Sequence, residues 1–326
     1  MEEIYDLIIC GGGIAGLTAA IYALRRKMKT ILITKEIGGQ ANWAEVIENY
    51  PGFKQIKGSE LVKRIFEQAL ENGLKIAFEE VKGFEEKEGF YVVKTNKQEW
   101  KCKTIIIAMG KTPRKLNVPG EDKFLGKGVS YCATCDMPLF KDKVVAVIGG
   151  GNSALEAALL GSKFAKKVYL IHRRGEFRGF EELVERVKSK ENIEIILWAI
   201  VKEIKGKDKV ESIVLEKTKM EEGKIVGTGE TFELKVDGIF IQIGLVIDPS
   251  PFKDFVKLDE RNQIVITQKN ETFYPDSDKI RPGVFAAGDI TNVPFKQLVV
   301  AAGEGCKAAL QAYNYLHGTK GPVMVH

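Results

Sequence analysis

Twice in 326 residues the chain runs a short apolar strand into a glycine-rich turn and then a helix, and this repeat leaves few folds open. In the first copy the strand is Tyr5-Asp6-Leu7-Ile8-Ile9-Cys10 and the turn is Gly11-Gly12-Gly13-Ile14-Ala15-Gly16. A helical stretch from Leu17 to Lys27 and a second strand, Lys29-Thr30-Ile31-Leu32-Ile33-Thr34, follow. The second copy has the strand Lys143-Val144-Val145-Ala146-Val147-Ile148 and the turn Gly149-Gly150-Gly151-Asn152-Ser153-Ala154. A helix from Leu155 to Phe164 and the strand Lys167-Val168-Tyr169-Leu170-Ile171 complete it. Glycines at Gly11, Gly13 and Gly16 permit a tight turn, the close approach of a pyrophosphate and tight helix-to-strand packing, while the helix N-terminus offers N–H donors to phosphate. Gly149, Gly151 and Ala154 repeat that spacing. The expected fold is α/β, with two Rossmann-like, three-layer nucleotide-binding domains.

The strand ends distinguish the two nucleotides. Glu36 closes the first unit, roughly 20 to 25 residues beyond its turn, where an acid accepts a hydrogen bond from a ribose hydroxyl. The second unit ends instead on His172-Arg173-Arg174, with Arg178 following and no acid at the ribose position. Guanidinium groups suit a 2′-phosphate, so the second nucleotide is expected to be NADPH rather than NADH. A third strand end, Gly283 to Asp289, carries an aspartate beside a long helix expected from Phe295 to His317, which opens with Lys296 and Gln297. An aspartate so placed can bind a polyol or ribose chain.

Composition excludes several other classes. Hydrophobic residues at 44% and charged residues at 29% describe a globular chain of about two domains. No apolar run reaches the roughly 18 residues of a membrane-spanning helix. The acidic start Met1-Glu2-Glu3 runs at once into a strand, so no leader is expected and the compartment is expected to be the cytoplasm. A net charge of +5 is interspersed along the chain and reads as a solvated surface, with no nucleic-acid partner.

Between the two units lies Ser130-Tyr131-Cys132-Ala133-Thr134-Cys135-Asp136-Met137-Pro138. Cysteines at this spacing form half of a zinc site or a small redox disulfide. The other half of a zinc site is missing, because Cys10, Cys102 and Cys306 are isolated in sequence and His172, His317 and His326 are the only histidines. A redox pair is the better reading, and Asp136 can move a proton as the disulfide opens and closes. Nicotinamide delivers two electrons as a hydride and a disulfide accepts two through sulfur chemistry, and a flavin bridges the two naturally. FAD is therefore expected in the first unit and NADPH in the second.

Elsewhere the reading is coarser. Gly38-Gly39-Gln40 and the stretch from Ile47 to Phe53 look like loops able to meet a ligand, and Gly58 to Gly73 has a helical, core-facing spacing. Strands are expected from Leu74 to Val81, Phe90 to Thr95 and Trp100 to Ala108. Gly110 to Arg114, with Pro119-Gly120, looks like a linker, and short strands forming a meander are expected from Ile193 to Phe240.

On Cys132-Ala133-Thr134-Cys135-Asp136, the His172-Arg173-Arg174 cluster with Arg178, and the closing Gly288-Asp289 with Gln297, the chain resembles the low-molecular-weight thioredoxin reductases over nearly its whole length. The resemblance implies a discontinuous FAD domain, residues 1–115 and 246–326, with an NADPH domain, residues 116–245, inserted and carrying the disulfide. It also implies a homodimer, and a domain rotation that alternates the flavin's access to NADPH and to the disulfide. Cys135 would face the flavin, Cys132 would attack the disulfide of thioredoxin or a thioredoxin-like protein, and Asp136 would be the proton donor and acceptor. Asp289 and Gln297 would hold the ribityl chain and ring edge, with Asn49 and Gln40 at the opposite end of the pocket. Further FAD contacts are implied at Gly11, Gly13, Ala15, Gly16, Lys35 and Glu36. Gly39, Val81, Ala108, Gly110, Gly288, Lys296 and Leu298 belong to the same set. NADPH would be held by Gly149, Gly151, Asn152, Ser153, Ala154, His172, Arg173, Arg174, Arg178 and Ile243.

Met137-Pro138, Met109 and Leu245-Val246-Ile247-Asp248-Pro249 depart from the usual pattern, which bears on the partner more than on the reaction. Two alternatives share much of this core: the reductase component of an alkyl hydroperoxide or glutaredoxin-like system, and a ferredoxin-linked flavin reductase. The first usually carries an extra N-terminal thioredoxin-like domain, whereas this chain is read as starting at the FAD strand. The second would not need Cys132 and Cys135.

Overall fold

Buried strands with apolar side chains on both faces need cover on both sides, and the chain supplies it in two separate units. The computed structural model describes residues 3–44 and 46–318; His326 lies outside the described residues. One compact unit comprises Met1–Thr112 with Ile247–His326, the other Pro113–Val246.

In the first unit, five parallel strands run in the order Ile280–Ala286, Glu99–Ile107, Ile4–Gly12, Thr30–Ile37, Lys75–Phe78. Glu271–Phe273 adds an antiparallel edge, and the hairpin Val81–Lys87 with Phe90–Thr95 attaches to Glu99–Ile107. Alternation decides which way each side chain points. Leu7, Ile9, Leu32, Ile106 and Phe285 pack beneath the helices Ile14–Arg25 and Leu298–His317. Ile8, Cys10, Ile31, Ile33, Ile105 and Ile107 face the other way, onto Val93, Phe252 and Phe255. The two helices lie so close that a Cβ on Gly305 would meet the Ala15 carbonyl oxygen at 2.1 Å.

The second unit repeats the layers. Its parallel strands run Ile193–Leu197, Lys167–His172, Val144–Ile148, Gly238–Ile241, Val129–Ser130. Val145, Val147, Val168, Leu170 and Phe240 pack under the helix Asn152–Phe164. Ala146, Ile148, Ile171, Ile239 and Ile241 face the antiparallel sheet Ala199–Lys205, Ser212–Glu221, Lys224–Lys235.

Several expected elements differ in detail. Leu74 to Val81 is two strands, because the chain leaves the parallel sheet after Phe78 and Val81 opens the antiparallel hairpin. The stretch from Ile193 to Phe240 is not a meander of short strands throughout. Its first and last strands belong to the parallel sheet, and the three between are 7, 10 and 12 residues long. The C-terminal helix begins at Leu298, so Lys296 and Gln297 precede it; Lys296 Nζ reaches back to the Thr291 carbonyl at 2.6 Å and Gln297 has extended backbone, φ −126° and ψ 149°. Gly39–Trp43 forms a short 3-10 helix rather than the expected loop. Cys10 and Cys102, far apart in sequence, share one buried cluster because their strands are neighbours. Among the described residues no helix is long and apolar enough to cross a membrane, and no group of three or more His, Cys, Asp or Glu could hold a metal ion.

Candidate active site

The first Gly-rich turn is shaped by steric necessity at Gly11. Its φ is +116°, and a Cβ there would lie 2.3 Å from the Ala108 carbonyl oxygen, so only glycine lets the turn cross the end of the neighbouring strand. Gly13 is different. Its backbone is ordinary, φ −75°, and a Cβ would meet nothing within 4 Å, so the protein alone does not require glycine there. The open space lies at the N-terminus of the helix Ile14–Arg25, where unpaired N–H groups and the helix dipole favour phosphate. Gly151 at the second turn has the same character, φ −100° with nothing within 4 Å, while Gly149, φ +151°, passes over the Gln242 carbonyl as Gly11 passes over that of Ala108. Two glycines held open above two helix N-termini fit two dinucleotide pyrophosphates.

Around the first turn the fold gathers most of the residues expected there. The Gly38 N–H bonds the Gly12 carbonyl at 2.7 Å, bringing Gly38 and Gly39 against the turn, and Gln40 Nε2 donates to the Lys111 carbonyl at 3.1 Å. Glu36 is exposed at the end of its strand, as a ribose acceptor must be. Gly110, φ +63°, has nothing within 4 Å of a Cβ position. Asn49 and Gln297 meet side chain to side chain at 3.2 Å, and Leu298 packs with Ile14 in one cluster. Two of the expected residues are less directly placed: Lys35 points to Glu80, 3.6 Å away, and Val81 is buried in the sheet core.

Gly288 and Asp289 reach the turn from the strand Ile280–Ala286, where a Cβ on Gly288, φ +83°, would press on Ala15 at 3.0 Å. A residue not foreseen from sequence fixes them. Glu304, 3% exposed on the C-terminal helix, accepts from the Gly288 N–H at 2.6 Å and from Thr291 Oγ1 at 3.2 Å. Burial pushes its carboxyl above the ordinary value against the pull of these donors. Lys296, partly buried, is held below its ordinary value by desolvation and then by Lys111, with Asp289 opposing.

In the second unit the arginine segment is tied to its Gly-rich turn. The Arg178 N–H bonds the Gly150 carbonyl at 2.7 Å, and the Phe180 N–H bonds Asn152 Oδ1 at 2.8 Å. Thr218 Oγ1 donates to the Arg173 carbonyl at 3.0 Å, and the ring of Trp198 lies against Gly175. Arg173 and Arg178 are exposed, and none of the three arginines has a carboxylate partner among the described residues. Desolvation, then the charges of Arg178 and Arg173, depress the Arg174 pKa. His172 is buried, stacked on Phe177, and its ring fills the space a Cβ on Gly150 would take. Desolvation and the adjacent arginines hold it below its ordinary pKa, favouring the neutral form. Ala154 is buried in the helix cluster, Ser153 is exposed and Ile243 packs on the antiparallel-sheet side.

Cys132 and Cys135 form a disulfide with Cα atoms 5.4 Å apart. Cys135 is exposed and Cys132 half-buried, and the Cys135 N–H points at Cys132 Sγ, 3.2 Å away. Ser130, also unforeseen, stitches the loop: its hydroxyl donates to Asp136 Oδ2 at 2.6 Å and accepts from the Cys132 N–H at 3.0 Å. Met137 is fully buried against the helix carrying Gly161, anchoring the loop, whereas Leu139 is 78% exposed.

Comparison with known proteins places this arrangement. Residues 5–305 match the family described as pyridine nucleotide-disulphide oxidoreductase. Thioredoxin reductase of Bacillus subtilis is 39% identical over 317 residues, covering 97% of this chain and 96% of that protein. The crystal structure of Lactococcus lactis thioredoxin reductase superposes with a TM-score of 0.82 at 38% identity, covering 97% of this chain and 100% of that one. A component of the alkyl hydroperoxide reductase of Staphylococcus aureus is 39% identical over 97% of this chain but only 60% of its own length.

Proposed function

The chain belongs to the pyridine nucleotide-disulphide oxidoreductase family, and we infer from that premise that it is a thioredoxin-disulfide reductase using NADPH and FAD. The observation that carries the reading is the Cys132–Cys135 disulfide, on a loop with Asp136, in a chain with two phosphate-ready Gly-rich turns. FAD belongs to residues 1–115 and 246–326 and NADPH to residues 116–245, because Glu36 and Asp289 attend the first turn and unpaired arginines the second.

The chemistry that FAD supplies when bound is to accept a hydride from NADPH and pass two electrons to the disulfide. The chain's own groups do the rest. Gly13 and Gly151 leave room for the pyrophosphates, and Arg173, Arg174 and Arg178 bind a 2′-phosphate that NADH lacks. The exposed Cys135 is the sulfur that accepts electrons, and Cys132 leaves as the S–S bond breaks. Asp136, oriented by Ser130, delivers the proton and later removes it. The Cys135 N–H favours a thiolate at Cys132, which attacks the thioredoxin disulfide; Cys135 then resolves the mixed disulfide, leaving two thiols on the partner. A homodimer, a domain rotation between the two half-reactions and a cytoplasmic location complete the proposal, supported by the family resemblance.

NADPH-dependent reduction of a thioredoxin disulfide by wild type, and its loss in Cys132→Ser and Cys135→Ser, tests the assignment. Activity retained in both variants would sink it. The likeness to the alkyl hydroperoxide reductase component supports a second reading, in which another thioredoxin-like carrier takes the electrons. Faster turnover with such a carrier than with any thioredoxin would favour it.

A further inference from the structure

Tyr131, the residue before Cys132, is held at both ends. Its hydroxyl donates to Glu121 Oε1 at 2.7 Å, and its carbonyl accepts from Gln242 Nε2 at 2.9 Å. Each anchor is itself fixed. Glu121 is 2% exposed, and its carboxylate also accepts the N–H groups of Leu116 at 2.9 Å and Asn117 at 2.7 Å. Asn117 has φ +58°, a left-handed conformation that these bonds help to hold. The Gln242 N–H bonds the Ile148 carbonyl at 2.7 Å, and its own carbonyl lies under Gly149. All these residues lie in the unit Pro113–Val246. Burial, then the Glu121 hydrogen bond and charge, push the Tyr131 phenol above its ordinary value, so it stays a donor across the working pH range. The Cys132 side of the loop is thus tied to two rigid elements, while the exposed Cys135 sits on the single helical turn Ala133–Asp136.

We propose that Tyr131, anchored by Glu121 and Gln242, is a positioning residue that sets the dithiol–disulfide equilibrium of the Cys132–Cys135 pair. This rests on the reading of that pair as redox-active. In exchange with a monothiol, the disulfide and two thiols give the protein dithiol and one external disulfide, with no other reactant. How far the equilibrium lies toward the protein disulfide depends on how close the sulfurs stay once their bond is broken, which is an effective concentration. The tether keeps Cys132 near Cys135 in the dithiol state. Releasing it lets the sulfurs separate and favours the dithiol.

The test equilibrates the holoenzyme anaerobically in glutathione buffers, traps free thiols by alkylation and counts the labels by mass. This readout needs neither NADPH nor thioredoxin. Tyr131→Phe removes one hydroxyl and is expected to shift the equilibrium toward the dithiol by about tenfold, or about 30 mV for a two-electron couple. Tyr169→Phe, which removes a hydroxyl from the same hydrophobic cluster, should leave it unchanged. Gln242→Leu frees the Tyr131 carbonyl instead and should shift it the same way, which keeps the test open if Tyr131→Phe does not fold. A Tyr131→Phe equilibrium within about twofold of wild type, or moved toward the disulfide, overturns the inference. A wild type whose Cys132 and Cys135 never exchange would instead overturn the redox reading beneath it.

Discussion

Replacing Glu304 separates the structural role of a buried carboxylate from its charge. In Glu304→Ala the Gly288 N–H, now bonded at 2.6 Å, is left buried without an acceptor, a loss of about 1–3 kcal/mol. At about 2–4 °C per kcal/mol for domains of this size, the melting temperature falls by several degrees. FAD should also dissociate more readily, because Gly288 and Asp289 lose the group that fixes their turn. Glu304→Gln keeps an acceptor and should cost less. The sign of its pH dependence is set by burial, which raises the folded-state pKa above 4.5. Glu304 therefore contributes most below 4.5, and its contribution declines as pH rises through the raised value. Glutamine does not titrate, so the stability gap between wild type and Glu304→Gln should narrow as pH rises from 4.5. Thermal melts of both proteins over that range, with released FAD followed by fluorescence, give the comparison. A gap that widens with pH would mean that the ionised carboxylate is favoured in the fold, and the burial argument would fail.

Three further outcomes follow from the site geometry. Gly151→Ala should change the stability of the nucleotide-free protein by less than about 0.5 kcal/mol, because its Cβ meets no neighbour, yet weaken NADPH binding by about tenfold or more; calorimetric melting and titration read the two effects apart. Arg173→Ala with Arg174→Ala should lower kcat/KM for NADPH by about 10²- to 10⁴-fold, two charge-assisted contacts at roughly 1.5–3 kcal/mol each, and leave NADH little changed. Equal losses with both nucleotides would refute the 2′-phosphate assignment. Ser130→Ala deprives Asp136 of its donor and the Cys132 N–H of its acceptor, and should slow thioredoxin reduction by about tenfold while leaving the first hydride transfer from NADPH to FAD intact in stopped-flow traces.

What could be read from sequence was chemistry that depends on local geometry. Gly11 and Gly149 are required by positive φ and by a carbonyl beneath them, and that need marks the chain wherever such a turn occurs. Apolar spacing starts the first helix at Leu17, but it begins at Ile14, inside the motif, so its N-terminus can face a phosphate. Partners brought in from afar left no such mark. Glu304 lies 16 residues from Gly288 and Glu121 lies 10 from Tyr131, and nothing in an isolated acid tells which N–H or hydroxyl it will meet. Ser130 lies beside the cysteines, yet its value depends on the turn that folds Asp136 back onto it. The strands from Ile193 to Phe240 were legible as strands but not as members of two different sheets, because alternation fixes a face and not a neighbour. Met137, two residues beyond Cys135, carries no mark in the sequence of its buried side chain, which anchors the redox loop.

Anaerobic titration of the purified holoenzyme with NADPH, with the flavin spectrum recorded and electrons counted, addresses the coupling of nucleotide, flavin and disulfide directly. Wild type should take up about four electrons per protomer and Cys135→Ser about two, one pair each for FAD and for the Cys132–Cys135 disulfide. Equal uptake by the two proteins would show that the cysteines are not in electronic communication with the flavin, and the disulfide reductase assignment would be wrong.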